Sequence, residues 1–194
     1  MSRRETLEEK IARVLRDEVA LADYDPRWPS LFEAERDHLR ACLPAGLLGR
    51  IEHFGSTAVP GLTAKPVVDL LIEVSDLEQA RRRIAPVLEE QGYDYFWRSA
   101  RDDGSDPHYC WFIKRDAEGR RTHHLHMVEP RFEHWDRLHF RDWLVAHPEA
   151  AAEYAQLKRE LAEKHPGDRI AYTKGKTEFV ARVTAEALEA AGRR

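Results

Sequence analysis

Thiols are scarce in this chain, and the two it has, Cys42 and Cys110, lie far apart with no metal-type spacing. That excludes a disulfide framework and a cysteine zinc motif, and reduced thiols in a cytoplasmic protein are the expectation. No apolar run is long enough to cross a membrane. The opening MSRRETLEEK is too charged for a secretory signal. An excess of positive charge is also missing. The net charge is −4, so a general attraction to nucleic acid is not expected, although a local basic pocket is compatible with it. Internal repeats, low-complexity tracts and a Walker-type glycine loop are absent from the 194 residues.

What remains is a chain with 42% hydrophobic and 34% charged residues, enough to bury a core while carrying a polar surface. Leu7, Ile11, Val14 and Leu15 recur at helical spacing within Glu5 to Arg16. Val19 to Ala22 reads as a short extended segment. Asp25-Pro26-Arg27-Trp28-Pro29 is turn chemistry, with Pro29 suited to the first turn of a helix over Leu31 to Leu43. Strands are expected at Ile51 to Phe54, Val67 to Val74, Tyr93 to Trp97, His108 to Lys114 and Thr122 to Val128. Asp76 is the expected cap of a helix running to Gln91 and ended by Gly92. Asp116 to Gly119 carries a hairpin signal. From Phe132 the pattern is helical, broken at His147-Pro148 and Pro166-Gly167, and its last piece runs from Lys174 to Ala191. The expected architecture is an α/β or α+β domain: a mixed sheet of four or five strands with helices before and after it. Residues 1–18 form an N-terminal helical extension in this reading, and 19–194 a single domain.

The most informative stretch is EHFGSTAVPGLTAKPVVDLLIE, Glu52 to Glu73. An apolar run ends at Gly55-Ser56, where a glycine and a hydroxyl let backbone N–H groups approach phosphate oxygens. The next apolar run carries Asp69 near its start, a residue type that holds a phosphate-bridging metal. An ordinary β-turn followed by a strand with a surface aspartate has the same pattern. Against that, Asp69 sits between Val68 and Leu70 in a run fit for burial, and a buried carboxylate needs a partner.

His123-His124-Leu125-His126 is the second feature. On a strand His124 and His126 share one face and His123 takes the other. Two imidazoles on one face bind a metal, orient a phosphate or move protons, or simply pack as a hydrogen-bonded polar face. Lys65, Arg137, Arg141, Lys158, Lys174 and Lys176 form a third set, of which Lys65 stands out because it lies in the loop after Gly55-Ser56. Most basic residues on helices are solvated or paired. The tryptophans read as core.

The run EHFGSTAVPGLTAKPVVDLLI resembles the signature of the GrpB family, within the nucleotidyltransferase-fold superfamily. The similarity extends through LADYDPRW, HLHMVE, FRDWLVAHPEAAAEY and AYTKGKTEF, leaving out only the helix before about Val19. The resemblance implies a nucleotidyltransferase-like mixed sheet flanked by helices, with a further helical region at the C-terminal side. It implies phosphate or nucleotide contacts from Gly55, Ser56, Thr57, Lys65 and Lys176, and a divalent metal, Mg²⁺ or Mn²⁺, held by Asp69 with Glu52 and His126. Asp69, His124 and His126 are then the catalytic candidates. In the superfamily a second carboxylate stands two residues after the first; here that position is Leu71, which cannot ligate. Two functions follow: metal-dependent transfer of a nucleotidyl group from a nucleoside triphosphate to a small acceptor, or a catalytically inactive module that binds a nucleotide or other anionic metabolite. Domains of this kind occur fused to dephospho-CoA kinase, which links them to coenzyme A or nucleotides. No membrane partner is expected, and the oligomeric state is left open.

Overall fold

The computed structural model describes residues 5–16, 20–101 and 103–192. Val19 of the expected extended segment lies outside them, as does the side chain of Leu15; Ala22 forms a single antiparallel bridge to Ala64. The expected sheet is present with five strands: β1 (Leu48–Phe54), β2 (Val68–Val74), β3 (Asp94–Ser99), β4 (His108–Arg115) and β5 (Arg121–Val128). Their spatial order is β1-β2-β5-β4-β3. Only the β2–β5 pair is parallel, so the sheet is mixed.

Each strand separates its residues onto two faces with period two. On one face Val68, Leu70, Ile72 and Val74 of β2 join Leu125 and Met127 of β5 and Cys110 and Phe112 of β4. Helix α2 (Trp28–Cys42), with Trp28 and Leu39, covers this layer together with α3 (Leu77–Arg83) and α4 (Ala85–Glu90). The helix expected from Asp76 to Gln91 is thus two helices. Asp76 does cap the first, accepting from the Gln79 N–H at 2.9 Å. The break falls at Ile84, because Pro86 has no N–H for the carbonyl four residues back.

The other face carries Phe54, Leu71, Phe96, Tyr109, Trp111, Ile113 and Val128, with Trp135 packed against them. Helix α1 (Leu7–Arg16) meets this face through Val14 and is tied down by Arg13 to Asp94 (2.7 Å) and Lys10 to Glu89 (2.8 Å). Four helices follow: α5 (Arg137–Ala146), α6 (Pro148–Lys164), α7 (Arg169–Lys174) and α8 (Thr177–Ala190). Leu144, Tyr154, Ala155, Phe179 and Val183 of α5, α6 and α8 close over Val59 and Leu62, so the C-terminal helices pack on the loop that follows β1. The expected last helix from Lys174 is interrupted, and α8 starts at Thr177. Gly175 makes the turn, and a Cβ there would stand 2.4 Å from Leu161 Cδ2. Among the described residues no helix is long and apolar enough to cross a membrane.

Candidate functional site

Register brings the sequence candidates together. Asp69 pairs with His124, and Leu71 with His126, across the parallel β2–β5 ladder, while Phe54 at the end of β1 faces Asp69 from the other side. All five side chains therefore project from one face. His123 projects from the other, as its alternation requires, and is buried there.

Asp69 Oδ1 lies 3.0 Å from His124 Nδ1 and 4.0 Å from His126 Nε2. Ligand atoms of Asp69, His124 and His126 all fall within 4.8 Å of one another. Burial pushes both imidazoles below their usual pKa; for His124 this outweighs the opposing hydrogen bond and charge of Asp69. Neutral His124 is held in one tautomer. Arg121 donates to Nε2 at 3.4 Å, so that nitrogen carries the lone pair and Nδ1–H points to Asp69. His126 is different: its Nδ1 is buried without a hydrogen-bond partner, and 4.0 Å from Nε2 to the carboxylate is too long for a hydrogen bond. An orphaned buried nitrogen is costly unless something else engages the ring.

The turn after β1 is shaped to the carboxylate. Gly55 has φ +73°, and Ser56 to Ala58 make a short 3₁₀ turn. Thr57, grouped with Ser56 in the sequence reading, turns inward instead. Its hydroxyl is 3.0 Å from His53 Nε2 and donates to the Val67 carbonyl at 3.4 Å, which braces the loop from inside, while the half-buried Ser56 is hydrogen-bonded to Tyr154.

Positive charge lines the opposite wall. Lys65 Nζ stands 4.6 Å and Lys176 Nζ 4.5 Å from the ring centroid of Tyr172, one tyrosine between two ammonium groups. Burial, reinforced by Arg169 and Lys176, lowers Lys65 to about 7 although Asp69 acts to raise it. Burial likewise lowers Lys176 to about 8, again opposed by Asp69. Two half-buried amines crowded by other cations are made easier to keep charged by an anion.

The remaining candidates are spent elsewhere. Glu52 does not join the metal-ligand group: its carboxylate accepts from Arg141 at 3.3 Å, and Arg141 also donates to the His53 carbonyl at 2.7 Å. Glu73 pairs with Arg50 at 3.2 Å. Lys158 is fully buried and donates to the Thr63 carbonyl, while Lys174 is exposed. Leu71, at the place of a second carboxylate, is wholly buried among Phe54, Tyr109 and Trp111. Arg121, Tyr109, Arg98 and His134 were not singled out by sequence; each is an isolated residue in an unremarkable context, and only the fold brings it to the site.

A mixed five-stranded sheet with helices on both faces, a glycine turn pressed against a strand aspartate and two imidazoles on the adjoining strand define an α/β protein with a polar, cation-walled cleft at that aspartate. The chain belongs to the GrpB family: the family model described as "GrpB protein" matches residues 18–186. A UPF0157 protein of Pseudomonas aeruginosa is 43% identical over 177 residues, spanning 90% of this chain and 69% of its own. The glutamate-rich protein GrpB of Alkalihalophilus pseudofirmus is 36% identical, over 86% and 94%. The crystal structure of the conserved protein GrpB from Enterococcus faecalis has the same fold, with a TM-score of 0.77 at 31% identity, covering 90% of this chain and 100% of that one.

Proposed function

We propose that this protein binds a nucleotide, or a closely related phosphate-bearing small molecule, between the Gly55-Ser56 turn and the Lys65–Tyr172–Lys176 wall, and transfers a nucleotidyl group from it to a small acceptor. The observation that carries this reading is the convergence of Asp69, His124 and His126 beside two amines whose burial favours an anionic ligand. Gly55 lets the backbone approach a phosphate, Ser56 offers a hydroxyl, and Lys65 and Lys176 offset phosphate charge.

The donor set fits a single divalent ion, held by Asp69 with His126 and, once its proton is released, His124. The unpartnered ring of His126 supports that fit. Two imidazoles and one carboxylate suit Mn²⁺ or another transition ion better than Mg²⁺, which prefers oxygen ligands. A bound ion supplies positive charge that polarises a phosphoryl group. In the transfer an acceptor hydroxyl would form the new O–P bond as the bond to pyrophosphate breaks, and its proton would pass to His124 when Asp69 and His126 alone hold the ion.

Leu71 favours a second reading, a module that holds the nucleotide without turning it over. A two-ion centre needs a carboxylate at that position, and an apolar cluster occupies it instead. The two are separated by titrating ATP, GTP, CTP and UTP with Mn²⁺ or Mg²⁺, then following pyrophosphate release over a broad acceptor panel. Binding with release that is abolished in Asp69→Ala supports transfer. Binding with wild type and Asp69→Ala equally inactive leaves the binding module, and no binding of any nucleotide sinks both.

A further inference from the structure

Beside the Asp69 cleft lies a second cavity of about 320 Å³ that the Gly-Ser turn and the lysine wall do not reach. Its walls include Arg98 at the end of β3, Tyr109 on β4, and His134 and Arg137 at the start of the C-terminal helices, with Arg101 at its rim. Three guanidinium groups around one small cavity are an unusual concentration of like charge. Among the described residues no carboxylate lies within ion-pair distance of Arg98, Arg101 or Arg137. Arg98 instead rests on the Trp111 ring, 4.7 Å from its centroid.

A second and independent observation concerns His134. The residue is 2% exposed, its Nε2 has no hydrogen-bond partner, and its ring lines the cavity. Burial, with Arg137 and Arg98 nearby, lowers it to about 3, so the ring is neutral and has one N–H to donate. Arginines with no described carboxylate at ion-pair distance and an unsatisfied imidazole in one pocket are the polar half of an oxyanion site.

We propose that this cavity is a second oxyanion subsite, which takes the phosphate monoester of a small phosphorylated ligand. Guanidinium forks match the several oxygens of a phosphate, and the walls bring up to three positive charges against its nearly two negative ones. Tyr109 connects the subsite to the first cleft. Its ring stacks on His126 at 5.6 Å and meets His134 edge-on at 4.7 Å. Arg137 is also near enough to Asp69 for their charges to interact. Resting on the proposed function in this one respect, the phosphorylated molecule here is the acceptor, with its hydroxyl directed to the Asp69 side.

Calorimetric titration of the full chain with ribose 5-phosphate, ribose, malonate and ATP tests this. Ribose 5-phosphate is expected to bind at least tenfold tighter than ribose or malonate. Arg98→Gln with Arg137→Gln is expected to weaken it at least tenfold while changing ATP binding less than threefold, and Lys65→Gln with Lys176→Gln to do the reverse. Should the double arginine variant fail to fold, Arg101→Gln at the rim, with an expected loss of about threefold, takes its place. Equal binding of ribose, tighter binding of malonate, or parallel loss of both ligands in every variant overturns the subsite. Retained ribose 5-phosphate binding with no ATP binding overturns the proposed function and leaves the subsite standing.

Discussion

Gly55 and Asp69 fit together because Gly55 has no side chain. A Cβ on Gly55 would stand 2.5 Å from Asp69 Oδ2 and 3.1 Å from its Cγ, and the backbone there has φ +73° and ψ −173°, a region open to glycine almost alone. The turn thus presses its backbone directly on the Asp69 carboxylate. Gly55→Ala is expected to cost about 1–3 kcal/mol by strain. It should also weaken Mn²⁺ and nucleotide binding more than tenfold, because Asp69 must rotate away. Chemical denaturation and calorimetry check the two effects; unchanged affinity would mean that the contact is only packing.

Leu71→Asp puts a carboxylate where a second ligand would stand. The site is wholly buried among aromatic rings, so without metal the variant should lose at least about 2 kcal/mol from lost packing and a desolvated acid. Mn²⁺ should stabilise Leu71→Asp more than Leu71→Asn, which keeps only the Asp69, His124 and His126 donors. Melting curves with and without the ion measure the difference, and equal response of the two variants means that position 71 does not reach the ion.

His124 is expected to be neutral with its proton on Nδ1 in the metal-free protein, since Arg121 faces Nε2 and Asp69 faces Nδ1. ¹⁵N shifts of the ring nitrogens read this tautomer directly. Binding of Zn²⁺ at Nδ1 would move the proton to Nε2, where Arg121 can no longer donate. Arg121→Met should therefore bind Zn²⁺ several-fold tighter than the parent; an unchanged affinity argues against His124 as a ligand.

Lys65, Lys158 and Lys176 are lowered by burial to about 7, about 7 and about 8. The unfolded chain, with lysines near 10.5, binds more protons than the folded one above pH 7, so stability should rise from pH 7 to 9. Above 9 the buried thiol of Cys110, raised to about 11, begins to oppose the trend. Affinity for an anionic ligand should fall over the same pH 7 to 9 window, as Lys65 and Lys176 lose charge. Lys158→Met should flatten the stability slope and leave the affinity profile intact, a split that denaturation and titration across the range resolve.

Much of this was readable from residues alone. Period-two runs and turn residues located all five strands, and Asp76, Gly92 and Asp116–Gly119 marked helix and hairpin ends as expected. Asp69, His124 and His126 were visible as chemistry-bearing residues in apolar strands, and their shared face followed from alternation. Helix continuity was less legible. The break at Ile84 and the stop at Gly175 depend on Pro86 and on the close approach of Leu161, whose effect appears only with neighbours in place.

Thr57 and Glu52 show where local reading ends. Both belong to the signature stretch, yet Thr57 is drawn inward by His53 and Val67, and Glu52 is taken by Arg141 from a helix 89 residues further on. By itself the sequence determined the sheet, its turn glycine and which residues could do chemistry, because alternation and turn preferences act over a few residues. Only the tertiary structure decided which of them meet. Parallel pairing of β2 with β5 sets Asp69 opposite His124, and the C-terminal helices bring Lys176, His134 and Arg137 to the same face. Those contacts depend on strand register and helix packing, which no short segment encodes.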